Sequence, residues 1–399
     1  MHQSLPFGLE FFQSTPDDSL RLSVIVPAKN EALFIVQALE ALRLQVDRDG
    51  VPIDPGLYEV LVLANNCNDD TYSICQAYQQ QYPSFALHIE SVQLETEHAH
   101  IGTARRLLMD AAFIRLMHVA GRKGIIVSTD ADSEVAADWV HHILREIDQG
   151  ADVIGGRILP RNTPEVSRRH HLRDVTYRFL KSRLESTIDP QLSNPWPRHF
   201  QCYGPSLAVT CEMYEKAGRL PVIPFLEDEE FRKALKRIDS KIRNSPHVRI
   251  YTSGRLDGRV KFGFSVQLQQ WSEMSLKCEE QKVETLRTLI FKFEFKNRLR
   301  AIWNAKFQET TALDSLNSLS LWAKVNYSSL LGFFSDAIYF ESLWEQVEQA
   351  LENSKHPAIE LASIDSVISA LRMHFHQHNK PSIRKLDVEQ SRFPEALVG

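Results

Sequence analysis

An alternation of short apolar runs with longer amphipathic stretches, which begins near Leu22, is the feature that most constrains the fold of this chain. Each apolar run is short enough for one buried strand, and the stretches between them repeat apolar residues at helical spacing. Strands that alternate with helices imply a mostly parallel sheet with helices on both faces. The pattern predicts an α/β fold, with strands at 22–26, 59–63, 124–128 and 152–158 and helices at about 31–45, 70–82, 103–120 and 136–149.

The pattern changes after about residue 160. An arginine-rich stretch predicts a basic helix there, and two further strands, a short helix and a longer helix follow it. Beyond about residue 275 glycines nearly disappear and the pattern is helical to the end of the chain. With roughly 150 residues per domain as a guide, we expect two or three folding units. The expected division is an N-terminal extension at 1–20, an α/β domain at 21–270 and a helical C-terminal region at 275–399.

Composition excludes several classes of protein. The 399 residues are 43% hydrophobic and 24% charged, as in a globular protein that folds in water. The formal net charge of −5 gives no general attraction to nucleic acid. Five cysteines, without a C-x-x-C pair, fit neither a disulfide framework nor a four-cysteine zinc site. The N-terminal residues lack the pattern of a signal peptide, and no apolar run is long enough to span a bilayer, so we expect a cytoplasmic protein.

Polar residues follow three of the predicted strands. They occupy positions 27–31, 65–70 and 129–132, where each apolar run ends. In α/β sheets a ligand binds beyond the carboxyl ends of the strands, so these segments are the candidate binding residues. The third segment contains Asp130 and Asp132, a D-x-D pair. Two carboxylates at a strand end can bind a divalent cation, which in turn holds a diphosphate, although an Asp after a strand is also often a helix cap.

Five blocks of sequence together resemble glycosyltransferase family 2. They comprise 23–31, the Asn65–Thr71 turn, Gly102–Arg106, the Asp130–Asp132 motif and the Glu227–Asp228 pair, in the family's order and approximate spacing. The resemblance extends over about 21–265. It implies a GT-A fold, which is a Rossmann-like sheet flanked by helices, and a nucleotide-sugar donor. It also implies that residues 21–160 bind the nucleotide-sugar and the metal and that residues 161–270 bind the acceptor.

The resemblance implies nucleotide contacts at the ends of the first two strands. Pro27 and Glu31 are in the position of nucleotide-binding residues, although Pro27 also suits a strand end and Glu31 a first helical turn. Asn65 occupies the place where the family usually has an Asp that binds the base. Because an amide both donates and accepts hydrogen bonds, this difference leaves open whether the donor nucleotide contains uracil or guanine. Asp69 is the next polar group and also suits a helix N-cap.

The resemblance also implies residues for the diphosphate and the metal. Arg105 or Arg106, after Gly102, is expected to complement phosphate charge, with Arg106 the chosen candidate and a solvated surface role the alternative. Asp132 is expected to coordinate Mn²⁺ or Mg²⁺ directly. Asp130 is expected to contact the ribose or the water shell of the metal.

Catalysis is expected at the Glu227–Asp228 pair. In inverting family members such a pair supplies the base that takes the proton of the acceptor hydroxyl, and Asp228 is the candidate. The alternative is that the acidic cluster only caps a helix. Arg255 and Arg259 lie in a glycine-bearing segment that either closes over the donor diphosphate or forms a surface turn. His247 is the nearest candidate for a third metal ligand, although a His before a strand is usually a surface residue.

Two basic segments suggest partners. The stretch 161–183 lies where the family binds its acceptor, so it predicts either an anionic acceptor, such as a phosphorylated sugar or lipid phosphate, or a solvated helix face. The segment 286–307 has apolar residues at helical spacing beside four basic residues. It predicts either peripheral contact with an anionic membrane or an ordinary packed helix.

The sequence therefore predicts a metal-dependent glycosyltransferase that acts on a hydroxyl acceptor. No Q-x-x-R-W motif follows Asp228, so a single transfer per encounter is expected. The first alternative is a sugar-phosphate nucleotidyltransferase, which would have a glycine-rich loop after the first strand. The second is a regulatory protein that binds a nucleotide-sugar without catalysis. Dinucleotide oxidoreductases are disfavoured because G-x-G-x-x-G is absent.

Overall fold

The computed structural model describes residues 11–161, 165–253, 264–277, 279–305 and 309–378. Within these ranges eight strands form one mixed sheet, in the order β3-β2-β1-β4-β7-β6-β8-β5. The strands are β1 Leu22–Ala28, β2 Tyr58–Asn65, β3 Leu87–Val92, β4 Ile125–Ser128, β5 Ser133–Val135, β6 Val153–Arg161, β7 Leu207–Thr210 and β8 Ile242–Ser253.

Helices flank this sheet and form the C-terminal region. In the first part of the chain they are α1 Ile35–Arg43, α2 Thr71–Gln81, α3 Ile101–Val119, α4 Trp139–Asp148, α5 Glu165–Ile188, α6 Cys211–Lys216, α7 Glu227–Arg237 and α8 Phe264–Leu276. In the C-terminal part they are α9 Leu286–Asn304, α10 Glu309–Ala323, α11 Tyr327–Asp336, α12 Phe340–Asn353 and α13 Ile364–His378. Two short antiparallel strands, β9 Lys282–Glu284 and β10 Leu361–Ser363, pair beside them.

The centre of the sheet is covered on both faces. Every residue of β1 and β2 is buried, which explains why these strands are continuous apolar runs instead of alternating patterns. Helices α1, α2 and α4 cover one face, where Leu39 and Trp139 belong to one core. Helices α3, α6 and α7 cover the other face, where Leu108 and Phe231 belong to a second core. The predicted α/β sheet flanked by helices is confirmed.

The second half of the sheet is more mixed than the pattern suggested. Strand β7 lies between β4 and β6 and is antiparallel to both, whereas β1, β2, β3 and β4 pair in parallel. Strands β3 and β5 were not predicted. β3 lies at the sheet edge and carries the half-buried His88 and Glu90, so it lacks an apolar run. β5 is only three residues long.

The C-terminal region is helical, as predicted. Its core is formed by apolar side chains of α9 to α12, among them Phe295, Leu343 and Trp344. A second cluster joins it to the α/β part, because Leu184 of α5, Leu289 of α9 and Leu371 of α13 are buried together. The C-terminal helices therefore pack on the basic helix α5.

Helix α9 contains the segment for which contact with a membrane was one of two predictions. One face of this helix packs against other parts of the protein. Lys292 donates to Glu284 at 2.8 Å and Lys296 to Glu341 at 2.9 Å, and both lysines are buried. Arg300 donates to the buried Asp189 at 2.9 Å. These three basic residues thus bind carboxylates of the protein, as in the packed-helix alternative. Among the described residues, no helix is both long and apolar enough to cross a bilayer.

Candidate active site

Three strand ends that carry candidate residues meet at one edge of the sheet. β1 lies between β2 and β4 and is parallel to both. Ala28 at the end of β1 pairs with Ala64, and the chain leaves β4 after Ser128 through Thr129 to Asp130. This arrangement places the segments after β1, β2 and β4 side by side, as expected for the ligand edge of an α/β sheet.

The segments after β1 and β2 are tied together by hydrogen bonds. The backbone N–H of Glu31 donates to Thr71 Oγ1 at 2.8 Å, and the N–H of Asn68 donates to Asn30 Oδ1 at 2.9 Å. Asn30 has a φ of +55°, which turns the chain sharply before α1. Asp69 accepts a hydrogen bond from the N–H of Thr71 at 3.1 Å. The two turns therefore form one preorganised rim.

Pro27 and Asn65 lie within this edge. Pro27 is part of β1, opposite Leu63, so the strand continues one residue beyond it. Asn65 is the last residue of β2 and its side chain is almost fully buried. Glu31 lies in the turn before α1, because its carbonyl accepts from the N–H of Ile35 at 2.9 Å. All three occupy the strand-end segments where nucleotide contacts were expected.

Arg105 joins two of the candidate carboxylates. Its Nη2 donates to Asp130 Oδ1 at 2.8 Å and its Nη1 donates to Glu227 Oε1. The side chains of Arg105 and Glu227 are only 6% and 4% exposed. Arg105 lies in the first turns of α3, Asp130 follows β4 and Glu227 begins α7. Three distant parts of the sequence therefore converge on one guanidinium group.

Two glycines allow this close approach. A Cβ atom on Gly204 would lie 2.4 Å from Arg105 Nη1, so a side chain there would displace the guanidinium group. A Cβ atom on Gly102, in the first turn of α3, would lie 2.0 Å from the carbonyl oxygen of Ile223. Gly102 thus brings the start of α3 into direct contact with the segment that precedes α7.

Asp228 is held by backbone N–H groups. Its Oδ2 accepts from the N–H of Gly204 at 2.7 Å and its Oδ1 from the N–H of Glu229 at 2.8 Å. Leu226, with a φ of +60°, turns the chain into α7 and places Glu227 and Asp228 in its first turn. The partial positive charge of a helix N-terminus favours carboxylates at this position.

The electrostatics of the cluster favour an additional positive charge. Burial raises the pKa of Asp130, the charge of Arg105 opposes this effect, and Asp132, Asp228 and Glu227 add to it, so that the pKa is about 6. Burial also raises the pKa of Glu227, again opposed by Arg105. One arginine is thus surrounded by more carboxylates than it can neutralise. A bound cation would relieve this excess, and carboxylate oxygens are the ligands that Mg²⁺ and Mn²⁺ prefer.

His247 is placed beside α4. Its ring stacks on that of His142, with 5.1 Å between centroids, and His142 Nε2 lies 3.1 Å from Asp138 Oδ2. In the described part of the chain, no group of three or more His, Cys, Asp and Glu side chains is arranged to hold a metal ion. The structure therefore does not bring His247 together with the Asp130–Asp132 pair.

The two adjacent arginines of α3 have different surroundings. Arg106 Nε donates to Asp110 at 2.7 Å and its Nη1 donates to the carbonyl oxygen of Leu220 at 2.7 Å. Arg105, in contrast, binds the carboxylate cluster. The sequence did not show which of the two arginines faces the carboxylates. Adjacent residues on a helix point in different directions, and only the packing of the helix decides which direction faces the site. Arg255 and Arg259 lie outside the described residues.

Sequence reasoning missed the role of the segment before β7. Gly204 lies in this segment and contributes both a backbone donor to Asp228 and the space for Arg105. The only sequence signal was its glycine beside a proline, which is typical of any turn. Asp69 was expected only as a possible helix cap, yet its Oδ2 also accepts from the N–H of Ala32 at 3.1 Å in the neighbouring turn.

The fold and the site define a class of enzyme. A mixed α/β sheet with an acidic pair after its central strand and an acidic helix start beside it has the GT-A architecture. Residues 23–204 match the model described as Glycosyl transferase family 2. The matched part of the chain, a little under half of its length, is therefore similar to the glycosyltransferases of this family. The match ends at Gly204, so α7 and its Glu227–Asp228 pair lie beyond the matched range.

Several solved structures are similar to this chain. TarS 1–349 from S. aureus, in complex with UDP-GlcNAc, is 15% identical with a TM-score of 0.42, over 84% of this chain and 92% of that chain. The mannosyltransferase PcManGT from Pyrobaculum calidifontis, in complex with GDP-Man and Mn²⁺, is 18% identical with a TM-score of 0.41, over 86% and 91%. GalNAc-T7 with UDP, GalNAc and Mn²⁺ is 14% identical with a TM-score of 0.43, over 85% and 58%. No curated protein sequence is significantly similar to the chain.

Proposed function

We propose that this protein is a metal-dependent, inverting glycosyltransferase that transfers one sugar per encounter from a nucleoside-diphosphate sugar to a hydroxyl acceptor. The observation that carries the proposal is the convergence of Asp130, Glu227 and Asp228 around Arg105 at the ligand edge of the sheet. The family match favours this activity over a nucleotidyltransferase or a regulatory protein that only binds the donor.

The nucleotide lies against the rim formed by the turns after β1 and β2. Pro27, Glu31 and Asn65 are its proposed contacts. The side chain of Asn65 is buried at the strand end, where an amide can donate to or accept from a base. Arg255 and Arg259, which lie outside the described residues, are proposed to bind the donor diphosphate.

Asp132 and Asp130 are the proposed residues for a divalent cation, Mn²⁺ or Mg²⁺. The donor set fits such a cation, because burial and the neighbouring carboxylates raise the pKa of Asp130, and a bound cation would stabilise its ionised form. Mg²⁺ is commonly held by one or two carboxylates together with substrate phosphates, so a closed cage of protein ligands is not required. When bound, the cation neutralises the negative charge that develops on the departing diphosphate.

Asp228 is the proposed base. Two backbone N–H groups orient its carboxylate, whereas Glu227 is engaged by Arg105 and acts as a positioning residue. Asp228 takes the proton of the acceptor hydroxyl while the acceptor oxygen bonds to the anomeric carbon. The bond from that carbon to the diphosphate oxygen breaks, and the nucleoside diphosphate leaves with the electron pair. Attack from the face opposite the leaving group inverts the configuration.

We propose a single transfer per encounter because residues 267–271, which read QLQQW, lack the arginine of Q-x-x-R-W. The acceptor is expected to be anionic, because Arg168 of α5 lines a cleft together with Arg157 and Arg372.

A donor screen tests the proposal. Thermal stability is measured with UDP-, GDP- and dTDP-sugars, each with Mn²⁺, with Mg²⁺ and with a chelator. We expect one nucleotide class to raise the melting temperature in the presence of metal. If no nucleotide-sugar stabilises the protein under any metal condition, the proposed function is wrong. Release of the nucleoside diphosphate on addition of acceptor would distinguish the transferase from a protein that only binds the donor.

A further inference from the structure

A cleft of about 770 Å³ opens between β6 and α5. This volume is within the range of sites that bind small organic ligands. Leu172 and Phe179 on its α5 side are 54% and 41% exposed, so apolar surface faces the opening. The apolar side chains that line the cleft include Ile158, Leu172, Val175, Phe179, Leu180 and Phe200.

Three arginines from three different elements also line the cleft. Arg157 belongs to β6, Arg168 to α5 and Arg372 to α13 of the C-terminal region. All three side chains are exposed. Within the described part of the chain, none of them forms an ion pair with a carboxylate. Their positive charges are therefore concentrated beside an apolar wall.

Three other basic residues of α5 are paired with carboxylates. Arg173 pairs with Asp365, Arg178 with Asp174 at 2.9 Å, and Lys181 with Glu284. These pairs leave Arg168 as the arginine of α5 that lines the cleft.

The cleft wall is continuous with the segment that holds the proposed base. Gln201 accepts from the N–H of Ile158 at 2.9 Å and donates to its carbonyl oxygen at 3.2 Å, which fixes the segment against β6. Three residues further on, the N–H of Gly204 binds Asp228 at 2.7 Å. A ligand in the cleft therefore lies against the same short segment that orients Asp228.

His199 makes this wall rigid. Burial lowers the pKa of His199 to about 4, so the ring is neutral at physiological pH. Its Nε2 donates to the carbonyl oxygen of Ser245 at 2.9 Å, and its Nδ1 accepts from the N–H of Gln201 at 3.0 Å. The neutral ring of His199 therefore connects β8 to the segment that lines the cleft through two hydrogen bonds.

We propose that this cleft is the acceptor site and that it takes a phosphate ester whose apolar organic part also carries the acceptor hydroxyl. The guanidinium groups match the phosphate oxygens, which they bind through paired N–H donors, and the apolar wall contacts the organic part. Arg372 is a specificity residue, so the C-terminal region completes the acceptor site. The inference rests on the proposed function, because it assigns the acceptor of that reaction.

The test uses the full chain and isothermal titration with hexyl phosphate, hexanol and inorganic phosphate. We expect hexyl phosphate to bind at least tenfold more tightly than either of the other two. Arg372→Gln should weaken its binding about tenfold, since it removes one phosphate contact. The matched control is Arg287→Gln in α9, an exposed arginine that lies outside the cleft. Arg168→Gln provides a second variant if Arg372→Gln does not fold.

Equal binding of hexanol and hexyl phosphate would overturn the inference, as would equal binding of inorganic phosphate. Equal effects of Arg372→Gln and Arg287→Gln would also overturn it. Vesicles that contain phosphatidic acid, compared with phosphatidylcholine vesicles, distinguish a membrane source of the phosphate ester from a soluble one. Binding to either source that depends on Arg372 supports the inference, and binding to neither overturns it.

Thermal shift with the donor and metal is measured on the same samples. Intact metal-dependent donor binding without hexyl phosphate binding would refute only the acceptor assignment. Loss of donor binding in the unmodified protein would refute the proposed function, whether or not the cleft binds hexyl phosphate.

Discussion

Arg105 donates a hydrogen bond to Glu227 across 122 positions of sequence, and the pair is buried at the ligand edge of the sheet. The same guanidinium group binds Asp130. Arg105 therefore holds the D-x-D segment and the start of α7 in one arrangement before any ligand is present. Preorganisation of this kind lowers the free-energy cost of assembling a site around its substrate.

Replacement of Arg105 should destabilise the fold strongly. Arg105→Met leaves Glu227 and Asp130 buried without their shared cation, and we expect the free energy of unfolding to fall by about 3 kcal/mol or more. Arg21→Met is the control, because Arg21 pairs with Asp148 at the surface and exposed pairs contribute about 1 kcal/mol at most. Urea unfolding at pH 7 measures both variants. Similar losses in the two would show that the buried pair has no special structural role.

Asp132→Ala should abolish metal-dependent donor binding. Removal of the carboxylate proposed to coordinate the cation leaves Asp130 as the remaining carboxylate of the motif, which is already engaged by Arg105. The expected result is that Mn²⁺ or Mg²⁺ no longer increases the thermal stabilisation by the donor. Asp18→Ala, in an exposed N-terminal position, is the control. Unchanged metal dependence in Asp132→Ala would exclude Asp132 as a metal ligand.

Asp228→Asn should separate donor binding from turnover. The amide oxygen can still accept from the N–H of Gly204, although the hydrogen bond from the N–H of Glu229 is lost, and the amide cannot take a proton. We expect donor binding to stay within about twofold and the rate to fall by a factor of at least about 100. Glu230→Gln, in the same helix and paired only with Lys233 at its surface, should retain its rate. Full activity in Asp228→Asn would rule it out as the base and reopen the stereochemical outcome.

Glu59 should make stability depend on acidic pH. Burial alone would raise its pKa, but hydrogen bonds from His88, Arg115 and Ser23 and the charge of Arg115 outweigh burial and lower the pKa to about 2. Because the folded-state pKa is below the ordinary value, the contribution to stability is present above that value and is lost as pH falls toward 2. A shift of this size corresponds to about 3 kcal/mol at pH 7, of which about 2 kcal/mol is lost by pH 3.

The variant Glu59→Gln measures this contribution. Its difference in unfolding free energy from the unmodified protein should be largest at pH 7 and should decrease steadily between pH 5 and pH 3. Glu90→Gln, in a half-buried position on the neighbouring strand β3, is the matched control for the loss of a carboxyl group. A difference for Glu59→Gln that is constant with pH would contradict the lowered pKa.

Asp239 should stabilise the junction between the α/β part and the C-terminal helices. Its two carboxylate oxygens accept from the N–H groups of Phe340 and Glu341, both at 2.8 Å, at the start of α12. Asp239→Ala removes this cap and should lower the free energy of unfolding by about 1 kcal/mol. Hydrogen exchange at Phe340 and Glu341 should accelerate, whereas exchange in β1 should not. Unchanged exchange at these two amides would show that the cap does not hold α12.

The central part of the fold was predictable because its signals are local. β1 and β2 are runs of buried apolar residues, and α4 has one apolar face, so periodicity located them. The short strand β5 and the edge strand β3 carry no such signal. Their pairing with β8 and β2 depends on contacts between residues far apart in the chain.

The sequence by itself determined the chemistry available at the site. The order of its motifs and the carboxylates of Asp130, Asp132, Glu227 and Asp228 are visible without any coordinates. Only the tertiary structure decided which residues meet. It placed Arg105 instead of Arg106 beside the carboxylates of the site, and it placed His247 beside His142. It also paired lysines of α9 with carboxylates of the protein. The reason is that the direction and burial of a side chain depend on how distant elements pack, which local sequence does not encode.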